Sequence, residues 1–125
     1  MSVKEINVLV LAYLGDTIYE DYIRKYLISL GINHVNDLQK KATDYVSAKN
    51  QAKFLRKMMD EELLNEEEIS VVKRARNYKS NSHPKNCDIV TYKYATGLEA
   101  LIGYLELSEQ KDRIDQIMNY ILGDE

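Results

Sequence analysis

Apolar residues recur three to five positions apart along most of the chain, a spacing typical of amphipathic helices and not of strands. One Pro and five Gly in 125 residues leave few interruptions. The first stretch ends before Gly31, a plausible helix stop, and its apolar positions are Ile6, Val10, Tyr13, Leu14, Ile18, Tyr22 and Leu27. No strand-like alternation persists, so the sequence predicts an all-α fold of about six or seven helices.

Polar residues in front of several apolar stretches predict where the later helices begin. Ser47 and Asp88 are suitable N-caps, because their side-chain oxygens can accept a hydrogen bond from the first helical turn. Asn65 is followed three residues later by a glutamate, which predicts a capping box, and Ser108 is expected to open the last helix. Residues 79–86 contain the only Pro together with Ser, Asn and His, and they are the clearest predicted loop.

The length and composition are those expected of a single domain spanning residues 1–125. Cys87 is the only cysteine, so an intrachain disulfide is excluded and a reducing compartment, the cytoplasm, is expected. The longest apolar run, residues 8–14, is far shorter than the roughly 18 residues of a membrane span. No secretory signal pattern opens the sequence, and no membrane partner is expected.

Two carboxylates interrupt otherwise apolar surroundings and are the strongest candidates for chemistry. Asp16 follows an apolar run, and Glu99 has apolar neighbours on both sides. A buried carboxylate requires a compensating partner. Either each one pairs with a Lys or Arg or hydrogen-bonds a neighbouring helix end, or the two share a hard cation such as Mg²⁺. The two His and one Cys have no zinc-like spacing, and no glycine-rich phosphate loop is present.

The net charge of -3 at first argues against a nucleic-acid binder, since such proteins usually carry excess Lys and Arg. The distribution of charge changes this picture. Residues 39–57 and 71–93 each contain six basic side chains against one Asp, whereas residues 58–70 contain six acidic side chains and no basic ones. The basic segments are either solvated faces or phosphate-binding surfaces, and the polar loop beside the second one favours phosphate contacts.

The segments around both carboxylates resemble those of the ribonuclease III superfamily. They read Leu11-Ala12-Tyr13-Leu14-Gly15-Asp16-Thr17-Ile18-Tyr19 and Leu98-Glu99-Ala100-Leu101-Ile102-Gly103. Further segments are similar to Mini-III ribonucleases, which consist of the catalytic domain without a double-stranded-RNA-binding domain: Arg74-Ala75-Arg76-Asn77-Tyr78-Lys79-Ser80, Pro84-Lys85-Asn86 and Tyr92-Lys93-Tyr94-Ala95-Thr96. The resemblance extends over residues 11–105, most of the chain.

This resemblance implies a ribonuclease III endonuclease-domain fold and a homodimeric endoribonuclease that cuts double-stranded RNA with Mg²⁺, leaving 5′-phosphate ends. It also implies maturation of 23S ribosomal RNA precursor ends. Asp16 and Glu99 match the catalytic, metal-binding positions of the two motifs. Ala12 and Thr96 stand where full-length ribonuclease III proteins carry further acidic residues, a departure that Mini-III proteins share.

The predicted RNA contacts lie on the basic helix end and the loop that follows it: Lys73, Arg74, Arg76, Asn77, Lys79, Ser80 and Lys85. Apolar positions around Leu11, Leu14, Ile18 and Tyr22 are either core or a dimer seam. The sequence leaves undecided whether a ribosomal protein acts as an accessory partner. One alternative hypothesis is a catalytically silent RNA-binding or ribosome-associated module on the same fold, and the retained carboxylates argue against it. Another is a helical adaptor that binds only protein.

Overall fold

The computed structural model describes residues 2–79 and 83–123, which form a short 3-10 helix and six α-helices. The 3-10 helix is Val3–Glu5, and the α-helices are α1 (Val8–Ser29), α2 (Val35–Val46), α3 (Ala48–Asp60), α4 (Glu66–Arg76), α5 (Ile89–Leu107) and α6 (Lys111–Ile121). These ranges contain no strand, so the all-α prediction is confirmed. None of the described helices has the length and apolar character needed to cross a bilayer.

Helix α5 is the centre of the molecule. Every residue from 95 to 105 is buried except Glu99, which is half-buried. Helices α1, α3 and α4 pack against α5, and α6 contacts its other end less extensively. Because this core excludes water from the middle of α5, Glu99 stands out as the one carboxylate within the buried stretch of residues 95–105.

Most predicted helix boundaries are confirmed by the capping contacts. The Ser47 hydroxyl accepts from the Asn50 backbone N–H at 3.3 Å, and the Asp88 carboxylate accepts from the Thr91 N–H at 2.9 Å. Asn65 forms the predicted capping box with the glutamate three residues later, both hydrogen bonds being 2.9 Å long. Gly31 adopts a φ of +90° directly after α1, the left-handed conformation that favours glycine.

The prediction that Ser108 opens the last helix is wrong. Ser108 ends α5, because its backbone N–H still donates to the Tyr104 carbonyl at 2.9 Å. Glu109 then takes a left-handed φ of +58°, and Gln110 donates back to Leu105 before α6 begins at Lys111. In the sequence, a serine between two apolar stretches suggests the N-cap of the second helix. In the structure, the chain changes direction only at Glu109, after Ser108 has ended α5.

A buried ion pair joins α6 to α4. Glu68 is 1% exposed, and Arg113 Nε donates to its carboxylate at 2.7 Å. Arg113 also donates to the Leu63 carbonyl at 2.6 Å. Burial alone would raise the pKa of Glu68, but the hydrogen bonds from Arg113 and Asn65 outweigh it and lower the pKa. This acidic side chain therefore has a basic partner, which distinguishes it from the carboxylates described next.

Candidate active site

Two glycines let α1 and α5 cross with their backbones in contact. A methyl group added to Gly15 would lie 1.7 Å from the carbonyl oxygen of Glu99, and one added to Gly103 would lie 1.9 Å from the carbonyl oxygen of Leu11. Any side chain at either position would push the helices apart. The crossing brings Asp16, the residue after Gly15, beside Glu99.

Asp16 and Glu99 form a carboxylate pair at this crossing. The Asp16 side chain is exposed, whereas Glu99 is half-buried between α1 and α5. Burial, followed by the negative charge of Asp16 and a hydrogen bond with it, raises the pKa of Glu99 to about 8. In the absence of a cation, the Glu99 carboxyl therefore keeps its proton at neutral pH.

Neither carboxylate forms an ion pair with a Lys or Arg in residues 2–79 and 83–123. Pairing with a basic side chain was one of the explanations considered for Asp16 and Glu99. Among the described residues it applies to Glu68, which pairs with Arg113, and not to Asp16 or Glu99. The oxygen-rich pair is the kind of donor set that Mg²⁺ prefers. In the described residues no group of three or more His, Cys, Asp or Glu side chains is gathered as a metal site, so the pair would supply few direct ligands.

Two neighbours of the pair were not predicted from the sequence. Gln51 of α3 is only 3% exposed, and its Nε2 donates to Glu99 Oε2 at 3.4 Å, which counteracts the rise in the Glu99 pKa. Glu20, one turn after Asp16, adds negative charge that raises this pKa further. Gln51 had a signal in the sequence, since it is a polar residue on the buried stripe of Leu55 and Met58.

Ala12 and Thr96, the two positions at which the resemblance suggested further acids, are both buried. Ala12 is 7% exposed and belongs to the core. Thr96 is 8% exposed, and its hydroxyl donates to the Tyr92 carbonyl of its own helix at 2.9 Å. Neither residue adds an acidic oxygen to the carboxylate pair.

The predicted RNA-contacting residues lie on the C-terminal half of α4 and after it. Lys73, Arg74 and Asn77 line one shallow groove, and Lys73 and Asn77 are exposed. Arg74 is half-buried because its Nη2 donates to the Ile6 carbonyl at 2.7 Å, which gives it a structural role as well.

The remaining members of that set continue toward α5. Arg76 Nη1 donates to the Tyr94 hydroxyl at 3.5 Å, so it links α4 to α5. Lys79 and Lys85 are exposed on either side of the loop, and Ser80 lies outside the described residues. The basic helix end and the described part of the loop are thus accessible.

The apolar positions predicted as core or dimer seam differ in how deeply they are buried. Leu11 is fully buried, whereas Leu14, Ile18 and Tyr22 are half-buried. The outward-facing apolar surface of α1 is formed instead by Leu9, Val10 and Tyr13, which are 41%, 54% and 84% exposed. Helical geometry puts Tyr13 one turn before Asp16, on the same side of α1.

A helical fold that presents two paired carboxylates beside a basic surface defines a candidate metal-assisted nuclease. Residues 9–110 match the family model of the ribonuclease III domain. The chain is 50% identical to the Mini-ribonuclease 3 of Enterococcus faecalis, covering 95% of this chain and 90% of that protein. It is 52% identical to the Mini-ribonuclease 3 of Brevibacillus brevis, over 90% of this chain and 82% of that one.

A crystal structure of a protein from Fusobacterium nucleatum has the same fold, with a TM-score of 0.84, 36% identity, and coverage of 97% of this chain and 95% of that one. The chain therefore belongs to the ribonuclease III family, a family of endoribonucleases, and groups with its Mini-ribonuclease 3 members. This membership confirms the resemblance seen in the two carboxylate motifs.

Proposed function

We propose that this endoribonuclease cuts double-stranded RNA with Mg²⁺, and that Asp16 and Glu99 are its catalytic, metal-holding residues. The observation that carries the proposal is the carboxylate pair at the crossing of α1 and α5, where a half-buried Glu99 touches Asp16 with no basic partner in the described residues. A divalent cation would counteract the burial and the Asp16 charge that raise the Glu99 pKa.

Each residue around the pair has a definable task. Asp16 and Glu99 would hold Mg²⁺ directly or through water, and Gln51 would orient Glu99 by its hydrogen bond. When bound, the cation supplies a Lewis acid that generates the attacking hydroxide and neutralises charge on the phosphate and the leaving oxygen. The cleaved bond lies on the 3′-oxygen side of the phosphate, so products carry 5′-phosphate and 3′-hydroxyl ends.

The RNA would lie over the basic end of α4 and the loop beyond it. Lys73, Arg74, Arg76, Lys79 and Lys85 supply charge for phosphates, and the polar side chains of Asn77 and Ser80 supply hydrogen bonds to phosphate and sugar. Duplex RNA is recognised mainly by shape and by such contacts, because side chains cannot read its deep major groove. The proposed enzyme therefore selects duplex structure and not a base sequence.

We also propose a homodimer formed through the outer face of α1. Leu9, Val10 and Tyr13 make an apolar surface that a second copy would cover, and Tyr13 lies one turn from Asp16. A two-fold axis here would set two carboxylate pairs side by side, one for each strand of the duplex. The resemblance to Mini-III ribonucleases points to 23S ribosomal RNA precursors in the cytoplasm as the substrate, with an accessory ribosomal protein as a further partner.

The test is incubation of the purified protein with a uniformly labelled RNA duplex, in Mg²⁺ and separately in EDTA. We expect endonucleolytic cleavage in Mg²⁺ only, no cleavage of the separated strands, and products that a 5′-phosphate-dependent exonuclease degrades. Binding without cleavage would support the catalytically silent module and overturn the proposal. Equal cleavage of duplex and single strands would overturn the substrate class alone.

A further inference from the structure

Tyr19 of α1 is completely buried, yet it carries a polar hydroxyl into the core. This hydroxyl donates to the backbone carbonyl of Tyr45 at 2.6 Å, a contact between residues that lie 26 positions apart in the chain. Burial, followed by the negative charge of Glu99, raises the pKa of Tyr19, so the hydroxyl keeps its proton and remains a donor. A phenylalanine would fill nearly the same space, so packing alone does not account for the hydroxyl.

The carbonyl that receives this hydrogen bond lies at the C-terminal end of α2. Tyr45 is the second-last residue of α2, and the last four carbonyls of a helix have no partner within the helix itself. The Tyr45 ring is held as well: it packs edge-on against Tyr26 of α1 and stacks on Phe54 of α3, with centroid distances of 6.2 and 6.3 Å. Through Tyr45 the end of α2 is therefore fixed against both neighbouring helices.

The rest of α2 is packed loosely. None of its residues is fully buried, and between α1 and α2 lies an open groove of about 350 Å³, lined mainly by apolar side chains. Because the stabilisation from apolar contacts scales with the area removed from water, such contacts hold α2 less firmly than they hold the other helices. The specific contacts at Tyr45 therefore have a large share in deciding where α2 ends.

The end of α2 sets the start of α3, because a single residue, Ser47, separates the two helices. The Ser47 side chain caps α3, and its backbone carbonyl accepts from the Gln51 N–H at 2.9 Å. Gln51 thus belongs to the first turn of α3. A continuous stretch of hydrogen-bonded backbone joins it to Tyr45, so a shift of the Tyr45 carbonyl would also displace Gln51.

Gln51 is the point at which these contacts reach the carboxylate pair. Its Nε2 donates to Glu99 Oε2 at 3.4 Å, which is already long for a hydrogen bond, so even a small displacement of the start of α3 would break it. Tyr19 lies three residues after Asp16 on α1. The helix that carries one carboxylate therefore also fixes the helix that orients the other.

We propose that Tyr19 is a positioning residue, whose hydroxyl fixes the start of α3 and thereby holds Gln51 against Glu99 for the binding of a divalent cation. The inference rests on the proposed function. Direct ligation by Tyr19 is disfavoured, because the side chain has no exposed surface and its proton is donated to Tyr45. An action through Gln51 is favoured, because Gln51 contacts Glu99 and follows directly from the joint between α2 and α3.

The experiment is a double-mutant cycle on the full chain, in which Mn²⁺ binding is titrated directly in the absence of RNA. The variants are Tyr19→Phe, Gln51→Met and Tyr19→Phe/Gln51→Met, and circular dichroism verifies the fold of each. Tyr104→Phe is the matched control, because Tyr104 is 5% exposed and its hydroxyl donates to Glu67 of α4 at 3.5 Å, a contact that does not involve α2 or α3. The cycle separates an action through Gln51 from an independent effect on the fold.

We expect Tyr19→Phe to bind Mn²⁺ about tenfold more weakly, as is typical when a contact behind a metal ligand is lost, while Tyr104→Phe binds as the unmodified protein does. In the Gln51→Met background, Tyr19→Phe should weaken binding by no more than about twofold, because the two residues act in series. Unchanged Mn²⁺ affinity in Tyr19→Phe, an equal loss in Tyr104→Phe, or fully additive losses in the double variant would overturn the positioning role and leave the proposed function intact. No Mn²⁺ binding by the unmodified protein would overturn both proposals.

Discussion

Glu99 is an acid in a place that the core of the protein disfavours. Its pKa is raised to about 8, so between about pH 4.5 and 8 the folded protein holds a proton that the unfolded chain has released. The folded state binds more protons in this window, and raising the pH therefore favours unfolding. In the absence of a divalent cation this one group should lower the stability by up to about 1.4 kcal/mol per pH unit.

A Glu99→Gln variant has no ionisable group at this position and therefore lacks this pH-dependent loss of stability. Measured by urea unfolding in EDTA, the free energy of unfolding of the variant minus that of the unmodified protein should increase from pH 5 to pH 8 and then level off. When the same comparison is made in an Asp16→Asn background, the increase should end at a lower pH. The Asp16 charge is the second-largest cause of the raised Glu99 pKa, so its removal lowers that pKa. A difference that stays constant from pH 5 to 8 would contradict the buried, repelled state of Glu99.

Gln51 offers a second test at the residue scale. Gln51→Met keeps the length and volume of the side chain but removes the donor to Glu99. Losing a contact behind a metal ligand typically costs about 10–100-fold in metal affinity or activity, so the Mg²⁺ concentration for half-maximal cleavage should rise about tenfold or more.

Excess Mg²⁺ should restore most of the activity of this variant, and a direct Mn²⁺ titration should show the same weakening without any RNA. Gln39→Met, on the exposed surface of α2, is the control. An unchanged Mg²⁺ dependence would mean that Gln51 only fills space between α3 and α5.

At the scale of elements, the crossing of α1 and α5 is what turns two separate motifs into a site. Gly103→Ala would place a methyl group 1.9 Å from the Leu11 carbonyl. Such overpacking costs about 1–3 kcal/mol or more, which exceeds the gain of up to about 1 kcal/mol that Ala normally brings to a helix. We expect lower stability in urea and reduced cleavage, because the helices must separate where Asp16 meets Glu99.

Gly97→Ala is the matched control on the same helix. There the added methyl would lie 3.4 Å from the nearest atom, a side-chain carbon of Leu55 that can adjust. This variant should be near neutral in stability and keep its activity. If Gly103→Ala were as stable as Gly97→Ala, the close backbone contact would not hold the site together.

The elements were largely predictable from the sequence, for identifiable reasons. The spacing of apolar residues and the caps at Ser47, Asn65 and Asp88 are local signals, and the local structure follows them. Ser108 misled because a serine can end a helix as well as begin one, and only the backbone direction decides. The approach of α1 to α5 at Gly15 and Gly103 is a tertiary fact that no local pattern in this chain specifies.

At the scale of the whole molecule, the net charge of -3 conceals a segregated surface. Part of the acidic segment between the basic ones is engaged internally: Glu67 pairs with Lys4 at 3.6 Å, Glu68 with Arg113, and Glu61 accepts from Tyr120. Most lysines of the two basic segments are exposed to solvent. The sequence predicted these segments only as two separate runs of basic residues. Arg56 of the first basic segment and Arg76 of the second both contact Tyr94, and this meeting depends on how α3, α4 and α5 pack.

The proposed dimer seam on α1 can be disrupted at its most exposed residue. Tyr13 is 84% exposed on the apolar outer face of α1, so Tyr13→Glu should introduce charge into the proposed dimer seam. We expect sedimentation equilibrium to give the mass of a dimer for the unmodified protein and the mass of a monomer for this variant. Val35→Glu, on an exposed apolar residue at the start of α2, should leave the dimer intact. A monomeric unmodified protein, or a dimer that tolerates Tyr13→Glu, would contradict this seam.

We propose that Asp16 and Glu99 together perform metal-dependent cleavage of duplex RNA. The most direct measurement is single-turnover cleavage of an RNA duplex in Mg²⁺ by Asp16→Asn and Glu99→Gln, with Asp21→Asn and Glu106→Gln as exposed-carboxylate controls on the same two helices. We predict that each site variant loses at least about a hundredfold in rate with an unchanged circular dichroism spectrum, while both controls cut normally. Full activity in either site variant would contradict the account.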